Sequence, residues 1–349
     1  MIHSFSLGKE RGLRRLADAD GHFNMVAIDQ RPPLLNLIAQ RRGIEPSQVA
    51  FTDMLAVKRI IVEVLGQQAS AMLFDPNYAL PAAIDLLPAR TGLVMTLEDH
   101  RVEDTPGGRM SRVIKDWSVE KIKACGADGV KVLAWYRPDA GKQVLEHQKN
   151  FVRKIGEECK KFDIPHVLEL LVYPFQNSKG HHADYVESPG KLPELVIESV
   201  REFSDPQYGV DLLKLESPLP GATLPPRDGG AQQQEVQASF DKIGEICKDA
   251  NIPWVMLSAG VSGAQFVRVM EYAFAAGAHG FLAGRAIWGH ALQQFPDLEA
   301  FREVLRSDGC ETLRQLEELA SRRAAPWSAT YSQVCGFHAE GDFCAAYAC

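Results

Sequence analysis

Two lysines stand inside short apolar runs of this chain, and a glutamate stands in a third run between them. Lys214 lies in Asp211-Leu212-Leu213-Lys214-Leu215-Glu216-Ser217-Pro218, and Lys131 in Gly129-Val130-Lys131-Val132-Leu133. Glu169 lies in His166-Val167-Leu168-Glu169-Leu170-Leu171. A charge inside a strand-length apolar run is costly unless it is paired or neutralised. A lysine that gives up its proton is an amine nucleophile able to attack a carbonyl. A neighbouring carboxyl group moves the protons that carbinolamine dehydration and carbon–carbon cleavage require. A second lysine close to the first is expected to lower its pKa. Taken singly, each residue reads first as a plain ion pair, or as a lysine whose ammonium reaches water. Only their joint placement gives the chemistry weight.

That placement depends on the elements around them. Strand-like apolar runs fall at 25–28, 70–74, 92–97, 129–135, 166–171, 210–215, 253–257 and 279–282. Helical spacing is read at 9–19, 53–66, 80–87, 117–125, 192–203, 232–250 and 263–276, with further helices near 286–292 and 297–321. Asp139 is positioned to cap a long helix over 140–162. Pro32-Pro33 reads as a breaker, 103–109 as a polar loop, and 173–190 and 217–230 as long loops. Strands alternating with helices imply parallel pairing with helical crossovers. Eight such units fit a closed (β/α)8 TIM barrel, an α/β fold, with an N-terminal entry segment and a C-terminal helical extension. An open doubly wound sheet usually shows G-x-G-x-x-G after its first strand, and Asp29-Gln30-Arg31-Pro32-Pro33 is unlike it. The expected division is one barrel domain over 1–322 and a tail over 323–349.

In such a barrel the site lies at the carboxyl ends of the strands. The polar residues there are Asp29, Gln30 and Arg31; Asp75 and Asn77; Glu98, Asp99 and His100; Lys131; Glu169; Lys214 and Glu216; Ser258; and Arg285. Lys131 and Lys214 then flank Glu169, with Asp29 across the mouth. Ser258-Ala259-Gly260 and Ala283-Gly284-Arg285 end the seventh and eighth strands. Small residues there let backbone N–H groups approach an anion, helix starts follow, and Arg285 adds a fixed charge. The expected substrate carries a phosphate or a similar anion such as a sulfonate.

Composition narrows the classes. The formal charge of −7 argues against a nucleic-acid partner. The first 21 residues carry charges throughout, without a signal-peptide core, and no stretch approaches a membrane span. Seven cysteines, widely spaced and odd in number, suit free thiols in a reduced cytoplasmic protein. A metal-dependent rival would need converging ligands, and His181-His182-Ala183-Asp184 is the dense candidate; adjacent histidines point different ways, so a solvated or hydroxyl-binding role is favoured. No metal and no cofactor are expected. A barrel kept only as a sugar-phosphate sensor is the non-enzymatic alternative.

The segments AIDQR (27–31), FDPNYALP (74–81), VKVLAWYRPD (130–139), LEL (168–170), DLLKLESP (211–218), LSAGVS (257–262) and GRAIWG (284–289) together resemble the tagatose-bisphosphate aldolases of class I, the Schiff-base type. The resemblance covers about residues 20–310 in order. It implies a lyase that cleaves a ketose bisphosphate to dihydroxyacetone phosphate and glyceraldehyde 3-phosphate. It implies Lys214 as the Schiff-base lysine and Glu169 as the proton-transfer residue, with Asp29 and Lys131 completing the catalytic group. Gln30 and Arg31 become candidates for substrate hydroxyls or the distal anion, and Ser258, Gly260, Gly284 and Arg285 for the phosphate. Related aldolases act on 6-deoxy-6-sulfofructose 1-phosphate or deoxy-keto-gluconate phosphates, and the long loops and the tail bear on that choice. A homo-oligomer is the expected assembly.

Overall fold

Among the described residues there are ten short strands, and eight of them, almost wholly buried, account for the centre of the molecule. In the computed structural model residues 5–176, 178, 191–331 and 347 are described. The strands are β1 Phe23–Ala27, β2 Ala71–Phe74, β3 Gly92–Thr96, β4 Glu103–Thr105, β5 Gly108–Met110, β6 Gly129–Trp135, β7 His166–Leu171, β8 Leu212–Leu215, β9 Trp254–Met256 and β10 Gly280–Ala283. All but β4 and β5 form a closed parallel barrel in chain order, with β10 returning to pair with β1. Its runs are continuously apolar because both faces are covered. Inward side chains such as Met25, Leu73, Val94, Val167, Leu212, Val255 and Leu282 fill the interior. Outward ones such as Leu93, Val130, Leu168 and Leu213 pack under the helices.

The amino end of the barrel is plugged from both chain termini. Helix Leu7–Leu16 lays Leu13 and Leu16 against it, and Phe5 joins the same cluster. Lys9 pairs with the buried Asp211 at 2.7 Å. Residues 323–331, read from sequence as the start of an unpatterned tail, contain a helix at Trp327–Tyr331. Trp327 is 1% exposed, stacks on Phe23 at 6.0 Å and meets Phe5 edge-on at 5.9 Å. An aromatic pair of this kind contributes beyond its buried area.

Several elements depart from the sequence reading. Pro32-Pro33 opens a helix, Pro32–Arg42, instead of breaking one. Proline is tolerated in the first turn, where its missing N–H has no helical partner. The loop at 103–109 is a hairpin, β4 antiparallel to β5. The long helix is Lys142–Lys161 with Gly141 at its N-cap, and Asp139 pairs with Arg137 at 2.8 Å instead. The region 286–321 divides into Arg285–Trp288, Ala291–Gln294, Leu298–Val304, a π-turn at Leu305–Gly309 and Cys310–Arg323.

Candidate active site

Strand register decides which side chains meet. Glu169 on β7 lies opposite Lys214 on β8 and Leu133 on β6. Side chains two residues apart face the same way, so Lys131, one step below Leu133, also points into the barrel. The result is a buried cluster. Lys214 Nζ donates to Glu169 Oε2 at 2.9 Å, and Lys131 Nζ lies 2.7 Å from the same oxygen. Lys131 also donates to Asp29 Oδ2 at 3.0 Å and to Glu98 Oε1 at 2.7 Å. Arg31 adds a weaker contact to Glu98 Oε1 at 3.7 Å. Three cations thus face three carboxylates, none more than 8% exposed. Unpaired charges at this depth would be costly, and the pairing offsets part of that cost.

The electrostatics fix the charge state of Lys131. Burial alone would lower the pKa of Lys131, but Asp29, Glu169 and Glu98 outweigh it and raise it well above the ordinary value. Lys131 is a fixed cation. Burial alone would likewise raise the two carboxyls, yet Lys131 and then Lys214 hold both Asp29 and Glu169 below their ordinary values. Both are ionised at neutral pH.

The remaining expected residues ring the same pocket, a cleft of about 870 Å³ counting the space open to solvent. Asp29, Gln30 and Arg31 follow β1; Ser258 and Gly260 follow β9; Gly284 and Arg285 follow β10. Ala259 and Gly260 are consecutive left-handed residues, φ 50° and 85°, forming a tight backbone turn. A Cβ on Gly260 would sit 2.9 Å from the Arg285 guanidinium carbon, so glycine lets that side chain lie flat on the turn. A Cβ on Gly284 would sit 2.7 Å from Gln30 Nε2. The helix after β10 has only four residues, so it supplies less dipole than expected. The terminal nitrogens of Arg31 both donate to the Glu98 carbonyl at 3.1 Å. Arg31 Nε and Gln30 Oε1 are buried without a hydrogen-bond partner among the described residues.

Two contributors were not singled out from sequence. Glu98, noted only as a strand-end residue, is a direct partner of Lys131; it follows Val94 and Thr96 at even spacing on the inward face. Lys58 is 0% exposed on helix Phe51–Leu65 and donates to the Ile28 and Gln30 carbonyls and to Asp75. Burial lowers its pKa despite the pull of Asp75. Asp75 also accepts from the backbone of Asn77, Tyr78 and Ala79. Lys58 therefore clamps the turn that carries Asp29. The signal was a lysine on the stripe Met54, Val57, Ile61, Leu65.

One wall of the pocket is apolar, built by Leu133, Trp135, Leu171 and Leu257. The hairpin supports it, with Arg109 stacked over Trp135 at 4.5 Å and Tyr173 at 5.2 Å. His181, His182 and Asp184 lie outside the described residues, as do Cys335, Cys344 and Cys349. Cys125, Cys159, Cys247 and Cys310 are free thiols. Among the described residues, no helix is long and apolar enough to cross a membrane.

Known proteins share this arrangement of sequence and fold. Residues 23–290 match the family model described as DeoC/LacD family aldolase. The chain is 32% identical over 326 residues to the tagatose 1,6-diphosphate aldolase of Lactococcus lactis subsp. lactis, covering 92% of this chain and 97% of that protein. It is 33% identical over 339 residues to the protein of the same name from Listeria monocytogenes serotype 4a (strain HCC23), covering 95% and 97%. Among solved structures, an archaeal fructose 1,6-bisphosphate aldolase superposes with a TM-score of 0.54 at 17% identity, covering 89% and 98%. Fructose-bisphosphate aldolase from Plasmodium falciparum reaches 0.57 at 13% identity, covering 96% and 99%.

Proposed function

The chain belongs to the DeoC/LacD aldolase family, and from that premise we propose a class I, Schiff-base aldolase that cleaves tagatose 1,6-bisphosphate to dihydroxyacetone phosphate and glyceraldehyde 3-phosphate. The observation that carries the mechanism is the single Glu169 oxygen shared by Lys214 and Lys131 at the mouth of the barrel. The substrate is carried by the relatives, which are named for tagatose 1,6-diphosphate.

The steps follow from the charges. The ammonium of Lys214 must lose its proton before it can attack, and the Glu169 carboxylate at 2.9 Å is the nearest acceptor. The free amine adds to the ketose carbonyl. The carbinolamine hydroxyl leaves as water with a proton supplied by Glu169, giving an iminium ion. Glu169, again a carboxylate, takes the proton of the C4 hydroxyl. The C3–C4 bond breaks, its electron pair passes into the iminium as an enamine, and the aldehyde departs. Protonation at C3 and hydrolysis release the ketone and restore the lysine. Lys131 and Asp29 keep this site polarised throughout. Gln30 accepts a substrate hydroxyl at its unpartnered oxygen, and Arg285 with Ser258, Gly260 and Gly284 holds the phosphate of the dihydroxyacetone phosphate half.

The test is borohydride reduction in the presence of tagatose, fructose or sulfofructose phosphates, with mass spectrometry of the labelled peptide. The wild type is expected to gain a ketose-phosphate or triose-phosphate mass on the peptide containing Lys214. Lys214→Met is expected to lose both turnover and the adduct. An adduct that persists in Lys214→Met moves the nucleophile elsewhere.

A further inference from the structure

We infer that Glu216 is a positioning residue for the cleavage step. Its carboxylate ties the ends of β7 and β8 together next to the Glu169–Lys214 pair, and so fixes the spacing of proton shuttle and nucleophile. The inference rests on the aldolase reading and gives a role to a residue that does not line the substrate pocket.

The ladder between β7 and β8 pairs Val167 with Leu212, Leu168 with Leu213, Glu169 with Lys214 and Leu170 with Leu215. The strands end at Leu171 and Leu215. Beyond that point a side chain takes over the contact. The backbone N–H of Val172 donates to Glu216 Oε1 at 2.6 Å, and Lys191 Nζ donates to Glu216 Oε2 at 2.9 Å. Lys191 stands just before helix Pro193–Phe203, the crossover between these two strands. One carboxylate thus joins the end of β7, the end of β8 and the start of their connecting helix. Both side chains of the ion pair are buried, Lys191 at 2% and Glu216 at 1% exposed.

Stability alone is a weak reason to keep such a pair. Replacing a buried ion pair by well-packed apolar residues is often neutral or stabilising, because desolvation rivals the attraction. Charge-assisted hydrogen bonds do define geometry. Here the geometry is that of the two strands bearing the reacting groups. Glu169 Oε2 and Lys214 Nζ lie 2.9 Å apart, and Lys131 Nζ is 2.7 Å from the same oxygen. Hydrogen bonds at this range tolerate little slip between β7 and β8. The outer edges of the two strand ends are held by backbone: Tyr136 N–H donates to the Leu171 carbonyl at 3.0 Å, and Leu257 N–H to the Leu215 carbonyl at 2.9 Å. Between β7 and β8 the Val172 N–H goes to the Glu216 carboxylate instead.

The experiment replaces the pair by apolar residues, Glu216→Leu with Lys191→Met, and measures kcat and KM on tagatose 1,6-bisphosphate. Thermal midpoints establish that the variant is folded. Its kcat is expected to fall roughly 10- to 100-fold with KM changed by less than about twofold, the effect of a small misplacement in a preorganised site. Glu216→Gln keeps an oxygen for Val172 and is expected to retain more activity than the apolar pair. In a Glu169→Gln background the apolar pair is expected to cost less than about threefold in kcat, because the carboxylate it positions is gone. An unchanged kcat in the folded variant overturns the inference, and so does an equal fold-loss with and without the Glu169 carboxylate. If the apolar pair does not fold, Glu216→Gln is measured in the same two backgrounds; a fall in kcat of about three- to tenfold is then expected, and an unchanged value overturns the inference. A wild type that gives no borohydride adduct with any ketose overturns the aldolase reading as well. An adduct on Lys214 with unchanged kcat in the variants overturns this inference alone.

Discussion

At the scale of single residues, the chemistry turns on which charges are fixed and which move. Lys131, held by Asp29, Glu98 and Glu169, stays a cation, and this in turn keeps Glu169 ionised. At Lys131 those carboxylates act at shorter range than the second ammonium and outweigh it. Glu169 is thus the group proposed to shuttle the proton. Glu169→Gln keeps the size but removes the base, and kcat is expected to fall by ~10²–10⁴-fold. Schiff-base trapping at Lys214 should persist in that variant, more slowly. A loss in kcat below about tenfold would assign the shuttle to another group. Most of these residue types were legible in the sequence as charges inside apolar runs. The partnership of Glu98 with Lys131 was not, because it joins residues 33 apart through the β3–β6 pairing.

At the scale of elements, the turn after β1 is held from outside the barrel. Lys58 reaches from helix Phe51–Leu65 to the Ile28 and Gln30 carbonyls, on either side of Asp29. Lys58→Met removes those hydrogen bonds and keeps the stem. The turn then relaxes and kcat is expected to drop on the order of 10-fold or more, since small misplacements are costly in a preorganised site. A general loss of stability would also lower activity, so the measurement is a double-mutant cycle with Asp29→Asn. If Lys58 acts by placing Asp29, its substitution adds little to kcat in the Asp29→Asn background. Fully additive effects would leave Lys58 as a purely structural residue. Elements were legible where the apolar period was long, as in the barrel strands. The β4–β5 hairpin was not, because three-residue strands carry no period and one of them, Glu103–Thr105, is polar.

At the scale of the whole molecule, the amino end of the barrel bears on stability and the carboxyl end on chemistry. His166 and His279 are buried at the amino ends of β7 and β10, and burial lowers each to about 4. Their unfolded values lie near 6.5, so the unfolded chain binds protons that the native state refuses. Stability is therefore full above about pH 6.5, declines as the pH falls toward 4, and loses no more from these groups below that, for a total of about 3 kcal/mol each. Denaturant midpoints at pH 7, 5.5 and 4.5 are expected to fall steadily, and a flat profile would show that these imidazoles reach solvent. The carboxyl end was the more legible of the two from sequence. Alternating strands and helices determined a parallel barrel, and barrel geometry determined that Asp29, Glu169, Lys214 and Arg285 share one face. Local pattern is enough for that, because the period of a strand and its place in the order are written along the chain. The sharing of one Glu169 oxygen by two lysines, the clamp from Lys58 and the seating of Trp327 on Phe23 were decided only by the tertiary structure. Each depends on distances of a few ångströms between residues far apart in sequence, and no local pattern encodes those distances.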